Sequence, residues 1–392
     1  MTCAHDTAKH GKTTVLLLAV IAAMGSLATQ LIVPALPALA HDLHAGADDA
    51  QLVVSLFLVG LGTGQLMVGP LVDRIGRKPV LLTGLALYCL ASAAAAMATS
   101  LPMLVGARLF QALGGSAGVV TSRVLVGDLF PPHEVAARQA MLMSIVLVSP
   151  ALAPVIGGLL TEWIGWRAIF TLLALAGTTA AILGWLALPV SSRQAEPGAA
   201  SSLRASYHRL LRNRAFLTAT AAVAGGSATL YMFLGTAPFL LGAGHGFGPR
   251  NVGLCLMLVA GTSIAGTFLV GRLERQGDAM LTGALCNFSA AALFLLLSPL
   301  PSVAAFIGPA MILGFGAGIS GPAGIARVIR AEPGAEGTAA SLAGALQMLC
   351  SALAAFALGR FAPVGAGTLG LAALMTTGLA LAASILARRV AA

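Results

Sequence analysis

Long apolar stretches, separated by short polar or Gly/Pro-containing segments, recur along the whole 392-residue chain. A hydrocarbon layer ~30 Å thick is crossed by ~20 helical residues. On that scale twelve helical spans are predicted, near residues 13–40, 50–72, 79–99, 101–123, 138–160, 166–189, 215–240, 251–271, 279–298, 303–328, 337–359 and 366–387. The longest polar stretch, Ser191–Arg214, falls between spans 6 and 7 and carries Pro197-Gly198 as a breaker. Its second part puts Leu203, Tyr207, Leu210 and Leu211 on one helical face, with Arg204, Arg209 and Arg212 elsewhere. That pattern predicts a short helix lying in the membrane interface. The chain is thus expected to divide into residues 1–190, a linker at 191–214, and residues 215–392, each flanking part holding six spans.

Composition strengthens the membrane reading. The chain is 58% apolar and only 9% charged, whereas soluble domains carry about 25% charged residues. A larger core does not explain the gap, because a soluble surface must still be covered with polar groups. A cytosolic enzyme, a disordered protein and a nucleic-acid-binding domain are therefore excluded. The net charge of +9 follows topology rather than a polyanion partner. With the N-terminus inside, 18 of the 22 basic residues fall in cytoplasmic segments. Arg167, Arg250 and Arg360 fall outside, and Arg108 lies within span 4. Both termini are expected to be cytoplasmic.

Three smaller features change little. The five cysteines include no C-x-x-C spacing, so they read as packing residues rather than a disulfide framework or zinc site. The first run, preceded by Lys9 and Lys12, ends in Ala38-Leu39-Ala40, which resembles a signal-peptidase site. It is far longer than a signal core and contains Gln30, Pro34 and Pro37, so it reads as span 1. His41 and His44, near Asp42, Asp48 and Asp49, read as a solvated outer loop rather than metal ligands. No metal or organic cofactor is expected.

Between spans 2 and 3 stands Gly69-Pro70-Leu71-Val72-Asp73-Arg74-Ile75-Gly76-Arg77-Lys78. Gly76 permits a tight turn, and Asp73 sits at the membrane edge within reach of basic groups. The segment resembles the G-x-L-x-D-R-x-G-R-K signature of the major facilitator superfamily. A partial copy, Gly271-Arg272-Leu273-Glu274-Arg275-Gln276-Gly277-Asp278, follows span 8, as a duplicated architecture would leave. The resemblance implies an all-α membrane protein with the major facilitator fold: twelve transmembrane helices in two pseudo-symmetric six-helix bundles.

Span 4 carries Arg108, Gln111, Gly115, Gly118 and Ser122 on roughly one helical face. An arginine within a span costs about 2.5–3.5 kcal/mol on insertion scales. It therefore either faces a polar cavity or snorkels to the outer interface. The segment resembles the R-x-x-Q-G motif of proton-driven facilitators, which implies a coupling role for Arg108. Three further segments follow: Gly127-Asp128-Leu129-Phe130-Pro131, then Ala153-Pro154-Val155-Ile156-Gly157-Gly158, then Trp166-Arg167-Ala168-Ile169-Phe170. They are similar to D-x-F-P, A-P-x-x-G-G and W-R-x-x-F of the Bcr/CflA drug-resistance branch of drug:proton antiporters. Pro154 and the Gly157-Gly158 pair would give a kinked, close-packed interface on the outer side. A generic small-residue packing face would look the same.

The resemblance implies a monomeric transporter of the bacterial inner membrane, not an enzyme, that exports a small organic compound by alternating access in exchange for protons. It implies coupling or gating roles for Asp73, Arg74, Gly76, Arg77, Arg108, Asp128, Pro154, Gly157 and Gly158. One departure stands out. Where this branch commonly has an aspartate in span 1, the chain reads Thr29-Gln30-Leu31-Ile32-Val33-Pro34-Ala35, with neutral Gln30. None of the thirteen acids is predicted at mid-membrane depth; Glu162 and Asp128 come closest. Candidate cavity residues are Gln30, Arg108, Gln111, Tyr231, Asn287 and Gln347, with Gln65 and Phe233 also buried in spans. The missing acid leaves open a dedicated exporter of an endogenous metabolite such as a siderophore; an uptake symporter is the weaker alternative.

Overall fold

The computed structural model describes residues 2–188, 199–332, 335–361 and 365–391. Among these residues all regular structure is helical, and twelve helices are long and apolar enough to cross a membrane. They correspond one for one to the predicted spans. Span 1 comprises Thr2–Ile32, a 3-10 turn at Val33–Ala35, and Leu36–Asp42. The irregularity falls where Pro34 and Pro37 withhold backbone N–H donors. Spans 2 to 6 are Leu52–Ile75, Arg77–Ala96, Leu101–Leu129, Pro132–Trp163 and Arg167–Ala187. Spans 7 to 12 are Arg214–His245, Pro249–Gln276, Ala279–Leu297, Val303–Arg330, Glu336–Phe361 and Ala366–Ala391.

Several helices outrun the ends set by hydropathy. Span 4 continues to Leu129 and span 5 begins at Pro132. Apolar content marks only the hydrocarbon layer, whereas helical hydrogen bonding persists until a local stop. Here the stop is Phe130-Pro131, both extended, since the residue before a proline avoids the helical region.

The two halves repeat one packing scheme. In the first half span 4 packs on spans 1, 2 and 3, span 1 on spans 5 and 6, and span 3 on span 6. In the second half span 10 packs on spans 7, 8 and 9, span 7 on spans 11 and 12, and span 9 on span 12. The halves meet chiefly where span 5 packs on span 8 and span 2 on span 11. Each contact maps onto its counterpart, so the architecture is two pseudo-symmetric six-helix bundles.

The linker helix, Ala199–Leu210, is shorter than the face expected of it. Leu210 is buried in a cluster with Phe216 of span 7, Val328 of span 10, and Ala339 and Leu342 of span 11. Tyr207 and Leu66 of span 2 pack against the same cluster. Leu211 is half-exposed, a correction to the predicted stripe, because the helix ends at Leu210. Arg209 pairs with Glu332 at 3.2 Å, and the Asn213 amide donates to the Ala331 carbonyl at 2.8 Å. The helix is therefore docked on protein. The Pro197-Gly198 breaker and the side chains of Leu203 and Arg204 lie outside the described residues.

Candidate functional site

A cavity of about 220 Å³ opens between the halves, lined from spans 1, 5, 7, 8, 10 and 11. Gln30 and Ser26 come from span 1, Ser227 and Tyr231 from span 7, and Gln347 from span 11. Leu147, Leu230, Leu256, Val259, Ile264, and Pro150 and Pro154 of span 5 supply most of the apolar wall. Gln347 Nε2 donates to Ser227 Oγ at 3.0 Å, which fixes the orientation of its amide. Gln30 makes no side-chain hydrogen bond among the described residues, and the residue, 9% exposed, lines this space. The sequence reading identified Gln30, Tyr231 and Gln347. It missed Ser26, Ser227 and Ser263, because a serine in an apolar helix carries no signal of which side it faces.

Arg108 does not line this cavity. It is fully buried inside the first half, about 10 Å along span 4 from Leu101 at the helical rise. Burial also removes the snorkelling alternative. Its Nη1 donates to Gln111 Oε1 at 2.7 Å and its Nε to the Val53 carbonyl at 3.3 Å. Its guanidinium lies 3.8 Å above the centre of the Phe57 ring. Gln111 Nε2 donates in turn to Ser92 Oγ at 2.7 Å, and Ser92 to the Tyr88 carbonyl at 2.6 Å. No carboxylate pairs with Arg108 among the described residues, and its Nη2 has no partner. The cation is held by neutral dipoles and an aromatic face, interactions strengthened in a dry interior. Gln111 thus belongs to an internal chain rather than to the cavity wall.

The remaining cavity candidates divide in the same way. Asn287 is 1% exposed and reaches Ser320 Oγ at 3.4 Å, within the second half. Phe233 packs 6.0 Å from Phe294 and 5.7 Å from Phe306, a core cluster. The Gln65 carbonyl accepts from Ser341 Oγ at 3.3 Å, joining spans 2 and 11.

At the end opposite the basic loops, the span 5 motif makes the contacts between helices. A Cβ on Gly157 would overlap the Leu31 carbonyl of span 1, and one on Gly158 would overlap the Pro249 carbonyl of span 8. Gly253 of span 8 meets the Pro154 carbonyl in the same manner. Glycine is required here by backbone approach, and the carbonyl of Pro154 lies directly in the seam. Nearby, Trp166 Nε1 donates to Asp42 Oδ2 at 3.1 Å, and Arg167 binds the same oxygen. Arg167 Nη2 also donates to the Ala98 carbonyl at 2.9 Å. The Trp166-Arg167 pair therefore ties span 6 to the end of span 1 and to the loop between spans 3 and 4. Asp42, read from the sequence as part of a solvated loop, is an ion-pair partner.

At the basic end, Gly76 joins spans 2 and 3 with φ +99°, a conformation that only glycine adopts freely. Asp73 and Arg74 are exposed, and Asp73 forms no ion pair among the described residues. Arg77 pairs instead with Asp128: its Nε meets Oδ2 at 2.8 Å, joining the start of span 3 to the end of span 4. The equivalent place in the second half has the opposite polarity. Asp278, at the start of span 9, pairs with Arg327, at the end of span 10, also at 2.8 Å. Both bridges lie within a half rather than between halves.

A family model described as Major Facilitator Superfamily matches residues 18–355. The chain belongs to that superfamily. This facilitator is 30% identical over 363 residues to Multidrug resistance protein D of Escherichia coli (strain K12), covering 91% of each chain. It is 32% identical over 309 residues to the Chloramphenicol resistance protein of Pseudomonas aeruginosa, covering 77% of this chain and 73% of that one. Its fold matches the crystal structure of a D-xylose-proton symporter with a TM-score of 0.74 over 95% and 96% of the two chains. At 15% identity that last likeness speaks for the fold alone. The facilitator is a multi-pass inner-membrane transporter and not an enzyme. Its drug-resistance relatives agree with the branch that the D-x-F-P, A-P-x-x-G-G and W-R-x-x-F segments resemble.

Proposed function

We propose that this facilitator is a monomeric exporter that carries a small organic compound out of the cytoplasm by alternating access, in exchange for protons. In this reading residues 1–190 and 215–392 are the two rocking bodies and 191–214 the cytoplasmic linker, with both termini inside. The observation that carries it is the cavity at the seam between the halves. It is lined from both sides and lies beside the close-packed span 5–span 8 contact at the end away from the basic loops. The drug-resistance relatives support outward transport.

In this reading Gln30, Tyr231 and Gln347 contact substrate from the two bodies. Pro154, Gly157 and Gly158 form the outer seal that must part. Asp73, Arg74, Gly76, Arg77 and Asp128 set the geometry of the inner end. Arg108 and Gln111 stiffen the first body around a fixed charge, and Asn287 plays the matching packing role in the second. A proton gradient contributes about 2.3 kcal/mol per charge per 100 mV, before any pH difference is counted. The test is flux of radiolabelled chloramphenicol in proteoliposomes, with an imposed pH gradient of either sign. Saturable uptake into inside-out vesicles that reverses with the gradient supports antiport. Flux indifferent to the gradient would refute proton exchange.

A further inference from the structure

We infer that the central cavity selects uncharged amphipathic compounds and rejects permanent organic cations, with Gln30 as the residue that sets this choice. The inference rests on the reading of the cavity as the transport site. None of its described lining residues carries a charge at neutral pH. Its polar groups are the amides of Gln30 and Gln347, the Tyr231 phenol and serine hydroxyls, which supply both donors and acceptors. Arg108, fully buried inside the first half, is enclosed by Phe57, Gln111 and Val53 and is not among the residues that line the cavity. An organic cation entering such a space gives up its hydration with no counter-charge in return, which is costly in a medium of low dielectric. An uncharged ligand gives up only hydrogen bonds, and these amides and hydroxyls replace them.

Gln30 is the informative position because its amide is uncommitted, whereas Gln347 is already held by Ser227. Replacing Gln30 by glutamate keeps the shape and inserts one negative charge at the wall. A carboxylate there attracts a bound cation strongly when water is excluded.

The experiment measures equilibrium binding to purified full-length protein. The uncharged probes are chloramphenicol and linezolid; the permanent cations are tetraphenylphosphonium and ethidium. Unaltered protein should bind at least one uncharged probe, and bind both cations about 10-fold more weakly or worse. Gln30→Glu should narrow or invert that ratio, increasingly so as pH rises and the new carboxyl ionises. Cation binding as tight as that of the uncharged probes overturns the inference. So does failure of both uncharged probes to bind, or a ratio unchanged by Gln30→Glu at any pH. Leu230→Trp and Ser227→Trp, each filling the cavity, serve as parallel controls, with unliganded thermal unfolding checking that each variant folds. Binding that survives both fillings means the probes sit elsewhere, and it is then the transport-site reading that fails.

Discussion

The Arg77–Asp128 bridge offers a direct test of how the basic end is held. The two charges lie 2.8 Å apart, and their side chains are only 10% and 16% exposed. At an effective dielectric constant of ~20, Coulomb attraction at that separation is about 6 kcal/mol before solvation is counted. Desolvating both ions offsets most of this, leaving a net coupling of about 1–3 kcal/mol for a charge-assisted hydrogen bond. The perturbation is a double-mutant cycle of Arg77→Gln, Asp128→Asn and the pair, each chosen to keep volume and hydrogen-bonding capacity. The readout is thermal unfolding of the detergent-purified protein. The coupling energy should reach at least about 1 kcal/mol, and the same cycle on Arg327 and Asp278 should give a similar value. Exchanging the two charges, Arg77→Asp with Asp128→Arg, should recover part of the loss, since the second half already uses the reversed order. Single substitutions that add to within about 0.5 kcal/mol would refute the bridge as a structural tie.

Other substitutions test the remaining contacts. Gly157→Val should cost about 1–3 kcal/mol and abolish transport, because the new side chain forces span 1 away from span 5. Gly106→Ala, where a Cβ meets nothing within 4 Å, should instead be neutral or stabilising in the same melting assay. Phe57→Leu should cost about 1–2 kcal/mol by removing the face beneath Arg108, as read by unfolding midpoints. Asp42→Asn should cost under about 1 kcal/mol, with the loss shrinking in high salt, because that bridge is 44% and 47% exposed. Gln347→Ala should weaken probe binding without lowering the unliganded melting temperature by more than about 4 °C.

The helices themselves were legible in the sequence, because a hydrocarbon layer allows only internally hydrogen-bonded backbone and so equates apolar length with a span. The roles of the outer motifs were partly legible. Gly157-Gly158 and Trp166-Arg167 advertise close packing and a fixed charge, but not that their partners are Leu31, Pro249 and Asp42. Asp73 shows the limit of a motif read alone. Its position suggested an ion pair, yet the carboxylate that Arg77 reaches belongs to Asp128, 51 residues along the chain.

Twelve spans, their division six and six, and the scarcity of charge within them are set by the sequence alone, since each depends on local apolar content. Which polar side chains share a cavity is not local, because it depends on how each helix is rotated about its axis. Only tertiary packing fixes that rotation. It turned Arg108 and Gln111 into the first half and Asn287 into the second, and left Gln30, Tyr231 and Gln347 facing one space. The departure at Gln30 was visible as a missing charge in one helix. Packing made it the neutral wall of a cavity that holds no charge at all among its described residues.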